Sequence, residues 1–435
     1  MITWIKGGNI VDPHSGTEKR QDIVVNKGRI ERLIPHGQFI PFAGIDVKVI
    51  DASGMIVTPG LIDMHVHFRE PGQEYKETIA TGSQAAAAGG FTAVACMPNT
   101  VPVNDSRYVT EFIVERARKT SLVRVYPVAA ITQGQKGEFL TEFGDLKQGG
   151  AIALSDDGSP VTSSEIMRRA LEYARFFNMP IISHCQDLDL SHNGVMHEGS
   201  VSTRLGLKGI PSASEEIMVM RDILLGKLTG CPIHIAHVST AGSVKLIRQA
   251  KEEGISVTAE TAPHYFSLDH TAVIGFDTNA KMNPPLRTPE DVEAVKRGLS
   301  EGVIDVIATD HAPHSSLEKE VEFDKAAFGI IGLETAVPLT LSLVREGVMN
   351  LPGAIAKLTT NPSSILSIKG GIIEEGKEAD LAIIDPEKEY VVTSDSFRSK
   401  STNSPFIGWR MKGKVMVTMV GGKIVWGSNE LNPGS

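Results

Sequence analysis

The chain has 435 residues, 41% of them hydrophobic and 22% charged, with a formal net charge of −9. This is ordinary globular composition, long enough for one large domain and a smaller companion. A pI near 5.8 leaves no basic footprint for nucleic acid, and no apolar run approaches the roughly 20 residues of a membrane helix.

The first residues, Met1-Ile-Thr-Trp-Ile-Lys-Gly-Gly, lack a basic segment followed by a long apolar stretch, so no signal peptide and a cytoplasmic location are expected. Residues 1–56 read as short β-like runs separated by Gly and Asp turn signals. From about residue 57 the texture changes to short β-branched runs followed by longer runs of helical spacing. Strands are expected at 58–67, 91–98, 123–131, 151–156, 180–185, 232–238, 256–262 and 305–310. Helices are expected at 75–89, 107–119, 163–178, 213–228, 241–253, 289–301 and 332–346. Eight βα units predict an α/β fold, a TIM-like (β/α)8 barrel whose active site lies at the C-terminal strand ends.

The irregular stretches 186–211, 265–288 and 311–331 would sit over the barrel mouth, where long loops carry function. Near the end the β texture returns in Ala379–Asp385, Lys414–Val420 and Gly422–Trp426. The expected organisation is therefore a barrel over 57–369 and a small β-sandwich domain composed of 1–56 and 370–435. Cys96, Cys185 and Cys231 have neither CxxC spacing nor the number of a disulfide framework and read as buried reduced thiols. Met167, Met218 and Met220 fall in helical stretches and are expected to fill core gaps.

The chemistry starts with Asp63-Met-His65-Val-His67-Phe-Arg69. Side chains alternate along a strand, so His65 and His67 share a face and form a chelating pair suited to Zn2+. Further polar residues close apolar runs at other strand ends: Asp157, His184, His237 and Asp310. Four imidazoles and two carboxylates exceed the three protein ligands of a single catalytic zinc, which points to a binuclear centre in a metal-dependent hydrolase. Two ions sharing a hydroxide would create a nucleophile near neutral pH and polarise a carbonyl. A carboxylate at the edge, with Asp310 the natural choice, would move the proton to a leaving nitrogen.

These residues also carry a resemblance. His65-Val-His67-Phe-Arg69-Glu-Pro-Gly, Cys96-Met-Pro-Asn99-Thr, Ser155-Asp-Asp157-Gly-Ser-Pro, Asn283-Pro-Pro-Leu-Arg and Thr309-Asp310-His-Ala-Pro-His314 together resemble the dihydroorotases of the amidohydrolase superfamily, and the likeness covers nearly the whole chain. It implies a zinc-dependent, reversible cyclisation of N-carbamoyl-L-aspartate to L-dihydroorotate in pyrimidine biosynthesis. It also implies roles: His65, His67 and Asp310 would bind one zinc, His184 and His237 the second, and Asp157 together with a hydroxide would bridge the two. Many relatives bridge with a carbamylated lysine, but Ala151–Gly158 contains none; an aspartate bridge resembles the longer-chain bacterial enzymes. Between the neighbours Asp156 and Asp157 the choice rests on the family motif. Arg69, a planar guanidinium, would anchor the substrate carboxylate with Asn99 and His314, while Asn283 and the backbone of Phe328 and Gly329 would read the ring amides and His67 would also face the substrate.

A hydantoinase or allantoinase on the same fold is the nearest rival, opposed by the missing bridge lysine and by the Arg69 and Asn99 pair. A non-catalytic subunit supporting aspartate carbamoyltransferase is opposed by the intact ligand set, although association with that enzyme and a homodimer or higher oligomer are expected from the resemblance. His264 falls just past the seventh strand, either beside the metal site or as an ordinary polar loop residue. His14, His36, His192, His197, His234 and His270 are assigned no chemistry.

Overall fold

The computed structural model describes residues 2–38 and 47–427, so the stretches 39–46 and 428–435 assigned above to the terminal domain lie outside the described residues. Eight parallel strands run in chain order round a barrel: Leu61–Val66, Phe91–Cys96, Arg124–Ala129, Ala153–Leu154, Ile181–Ser183, Ile233–Ile235, Val257–Thr261 and Val306–Ile307. The ring closes where His311 bridges Val66 in parallel and His67 N donates to His311 O at 2.9 Å. Strands buried on both faces explain the near-continuous apolar runs. Met64, Ala95, Met97, Val128, Ala153, Ile182, Ala236, Val306 and Ala308 pack into one cluster drawn from most of the strands.

The observed strands are shorter than the apolar runs, and after the sixth and eighth strands the reason lies at the rim. His237 has φ 33 and Asp310 has φ 49. A left-handed residue breaks a regular ladder, so Ile233–Ile235 and Val306–Ile307 end before these side chains and isolated bonds, such as Val238 N to Glu260 O and His67 N to His311 O, follow them. The connecting helices begin where capping chemistry permits. Thr78, Ser163, Thr240 and Thr288 each accept from a backbone N–H in the first turn of Ile79–Ala88, Ser164–Phe177, Ala241–Glu252 and Pro289–Ser300. Phe143–Gly149, which follows the third strand, has no counterpart among the expected helices; two glycines in seven residues hide it. Met167 and Met218 are buried as expected, whereas Met220 is 49% exposed because it falls on the outer face of Ala213–Thr229.

The companion domain takes the form of one continuous eight-stranded sheet from both ends of the chain. Its order is Lys423–Gly427, Arg410–Val420, Leu381–Val391, Ile56–Pro59, Ile2–Asp12, Thr17–Asn26 and Arg29–Pro35, with Val47–Asp51 also paired to Ile2–Asp12. Adjacent residues divide between two cores, as a period of two demands. Ile10, Val57 and Ile383 pack in the sheet's own core, while Val11, Ile56 and Ile384 join the barrel core. The segment between Leu381–Val391 and Arg410–Val420 leaves the sheet for the barrel mouth. Asn403 Nδ2 there donates to Ala312 O at 3.0 Å and Gly329 O at 3.1 Å. Among the described residues no helix is long and apolar enough to cross a membrane, and the three cysteines are free and buried.

Candidate active site

The strand ends bring His65, His67, Asp157, His184, His237 and Asp310 together. Asp157 is the hub: its Oδ1 lies 3.4 Å from His65 Nε2, from His184 Nδ1 and from His237 Nε2, and its Oδ2 lies 3.5 Å from His67 Nε2. Asp310 Oδ1 is 3.0 Å from His67 Nε2 and 3.6 Å from His65 Nε2. The Nδ1 of His184 and the Nε2 of His237 approach to 2.7 Å. Two groups have ligand atoms close enough to share an ion, His65 with His67 and Asp157, and Asp157 with His184 and His237.

Buried polar atoms nearly always have partners, yet His65 Nε2 and Asp157 Oδ1 have no hydrogen bond. Orphaned nitrogen and oxygen donors converging in a buried cluster fit a divalent transition metal. The far sides of the rings agree. Metal-facing imidazoles characteristically give their other N–H to an outer acceptor. His65 Nδ1 meets Glu260 Oε1 at 2.5 Å, His67 Nδ1 meets Asn99 Oδ1 at 2.7 Å, and His184 Nε2 meets Gln186 Oε1 at 2.9 Å.

Geometry also separates the two neighbouring aspartates. Asp156 accepts from the backbone N–H groups of Ile131 and Thr132, at 2.8 and 3.1 Å, and from the Thr132 hydroxyl, which ties down a turn. Burial pushes its pKa up to about 6. Asp157 is equally buried, but His65, His184 and His237 outweigh the desolvation and hold its carboxyl well below the usual range. Burial likewise opposes ionisation of Asp310, and His65 and His67 overcome it.

Beside the cluster, Arg69 adopts φ 60 and is buried, with its Nε donating to Pro313 O at 3.3 Å. Its Nη2 lies 3.3 Å from His314 Nε2, which donates to Phe328 O at 2.8 Å. Burial and the Arg69 guanidinium push the His314 pKa down to about 2, so this ring is neutral at physiological pH. A guanidinium has five N–H donors and these contacts engage only part of them, so Arg69 keeps donors for an anion. Gly329 has φ 119, and a Cβ there would meet Ala312 Cβ at 2.6 Å, so only glycine lets this backbone approach so closely. Asn99 divides its amide between His67 and Asp157 O, the latter at 3.4 Å. Asn283 Nδ2 donates to Gln186 Oε1 at 2.8 Å.

Sequence reasoning missed several contributors. Glu260 also meets His234 Nε2 at 3.3 Å, which gives that ring a structural partner; a buried acid inside a strand was the available signal. Lys319 Nζ donates to Ala327 O at 2.8 Å, Gly329 O at 3.1 Å and Lys281 O at 3.4 Å, fastening the 311–331 loop. Its burial, which lowers the pKa to about 7, is invisible in an ordinary-looking Ser-Leu-Glu-Lys helix. His264, which the sequence left open between the metal site and an ordinary loop position, is buried with an unpartnered Nε2, and burial lowers its pKa to about 4.

Residues 54–243 match the Dihydro-orotase-like family. Over 425 residues the chain is 57% identical to the dihydroorotase of Geobacter sulfurreducens, covering 98% of this chain and 99% of that one. It is 56% identical over 426 residues to the dihydroorotase of Geobacter metallireducens, covering 98% and 100%. Among solved structures, the L-hydantoinase (dihydropyrimidinase) of Arthrobacter aurescens matches with a TM-score of 0.87 over 98% of this chain and 96% of its own, at 24% identity, which is a likeness of fold. With more than half its residues identical to dihydroorotases along nearly its whole length, the chain belongs to the dihydroorotase family.

Proposed function

We propose that the chain is a metal-dependent dihydroorotase that interconverts L-dihydroorotate and N-carbamoyl-L-aspartate for pyrimidine biosynthesis, working in the cytoplasm with two zinc ions. The observation that carries this reading is the pairing of Arg69 with His314 beside four imidazoles gathered round Asp157, with Asp310 3.0 Å from His67 at their edge. His65, His67 and Asp310 would hold one ion and His184 and His237 the other, with Asp157 between them. Ions held there would lower the pKa of water towards neutrality and polarise the amide carbonyl.

The remaining work falls to side chains. Arg69 and His314 bind the ring carboxylate and orient the ring; the Asn283 amide and the backbone at Phe328 and Gly329 read its amide edges. The Asp310 carboxylate takes the proton from the attacking water and returns it to the departing ring nitrogen, and the reverse order closes the ring. A homo-oligomer, and association with aspartate carbamoyltransferase, belong to the same reading and rest on family resemblance.

The zinc-loaded chain is expected to hydrolyse L-dihydroorotate, followed by loss of its ultraviolet absorbance, and to leave hydantoin untouched. Turnover of hydantoin without turnover of dihydroorotate would transfer the chain to the hydantoinase reading, which the fold alone permits.

A further inference from the structure

We propose that Gln186 is a positioning residue that holds one metal-site imidazole and the substrate-reading amide of Asn283 on a single acceptor atom, and so couples metal binding to substrate binding. The inference rests on the dihydroorotase reading above. Gln186 Oε1 lies 2.9 Å from His184 Nε2 and 2.8 Å from Asn283 Nδ2. A carbonyl oxygen has two lone pairs, and both are used here.

The direction of these bonds matters more than their number. When His184 donates its Nε2–H to Gln186, the lone pair of Nδ1 is left facing Asp157 Oδ1 at 3.4 Å and His237 Nε2 at 2.7 Å. Turning the Gln186 amide over would present an N–H donor to His184 Nε2. The ring proton would then have to sit on Nδ1, inside the cluster, where it blocks a ligand position. The same turn would set two amide N–H groups against each other at Asn283. One orientation of one side chain therefore satisfies the ligand tautomer and leaves the Asn283 carbonyl free to accept a ring N–H.

His184 follows the strand Ile181–Ser183, while Asn283 belongs to the long loop after the seventh strand. Gln186 joins these two elements. Glu260 and Asn99 do the equivalent for His65 and His67, but Gln186 differs in sharing its acceptor with a substrate-facing amide.

The test uses the full chain and four variants: Gln186→Leu, Gln186→Glu, Asn283→Ala and the Gln186→Leu/Asn283→Ala double variant. Zinc affinity is measured without substrate by competition with a chromophoric chelator, and kcat and KM are measured on L-dihydroorotate. Gln186→Leu is expected to weaken zinc binding by about 10-fold, the lower end for an outer partner of a ligand, and to raise KM by a similar factor. Gln186→Glu keeps the acceptor oxygen and should restore both to within about 3-fold. Asn283→Ala should raise KM and leave zinc affinity unchanged, and its effect should shrink in the double variant because the two residues act as a unit. Unchanged zinc affinity in Gln186→Leu, or KM effects that simply add, would overturn the coupling. Should Gln186→Leu fail to fold, Gln186→Met, which keeps the length without the oxygen, gives the same reading. A parent chain that binds zinc but ignores dihydroorotate sinks the functional reading instead, while the zinc arm still judges Gln186.

Discussion

Glu260 Oε1 lies 2.5 Å from His65 Nδ1, and this contact decides which nitrogen of the ring enters the cluster. The carboxylate is fully buried, yet His65 and His234 overcome the desolvation and keep it ionised, with its pKa well below the usual range. Glu260→Gln keeps an acceptor and removes the charge, so zinc affinity is expected to fall by about 10-fold, read by chelator competition. Undiminished affinity would show that the His65 orientation is set elsewhere.

Asp310 stands at the edge of the cluster, 3.0 Å from His67 Nε2. An asparagine in its place would keep an oxygen beside the ion but could not carry the proton, so the substitution should cost turnover far more than metal. Asp310→Asn is expected to keep its zinc, measured by elemental analysis, while kcat drops by roughly 10²–10⁴, the usual scale for a general acid or base. Full activity in this variant would remove Asp310 from the proton path.

Arg69 tests the carboxylate anchor. Its guanidinium is buried against Pro313 O and His314. Arg69→Met should raise KM for dihydroorotate by at least about 10-fold with zinc content intact, the loss expected when a charge-assisted pair is removed. An unchanged KM would discard the anchor role.

A pH effect on stability arises at Glu334, which fastens the segment leading to Asn403 by accepting from Arg398 N at 2.8 Å and Ser399 N at 3.2 Å. Burial raises its pKa to about 7 from an ordinary 4.5. A raised acid is neutral in the folded state where the unfolded chain already ionises, so its contribution is complete below 4.5 and is lost as pH rises through about 7. Glu334→Gln should therefore gain Tm relative to the parent between about pH 5 and about pH 8. A Tm difference that does not change with pH would refute the assignment.

The sequence by itself determined the architecture. Eight short apolar runs alternating with helical periods can bury their faces in few ways, and five of them end on candidate ligands, so the barrel, His65, His67, His184 and His237 could be read locally. Both β-rich ends were visible for the same reason, as alternating runs between turn signals. Tertiary structure decided what depends on contacts between distant segments. The family motif chose Asp157 over Asp156, but only the folded barrel gives the physical reason: Asp157 turns towards four imidazoles and Asp156 towards Thr132. Only it brings Glu260 from the seventh strand to His65 on the first, and Asn403 from the far end of the chain to the loop that carries Gly329. Periodicity records which face of an element is buried; a hydrogen bond between residues hundreds of positions apart leaves no period to read.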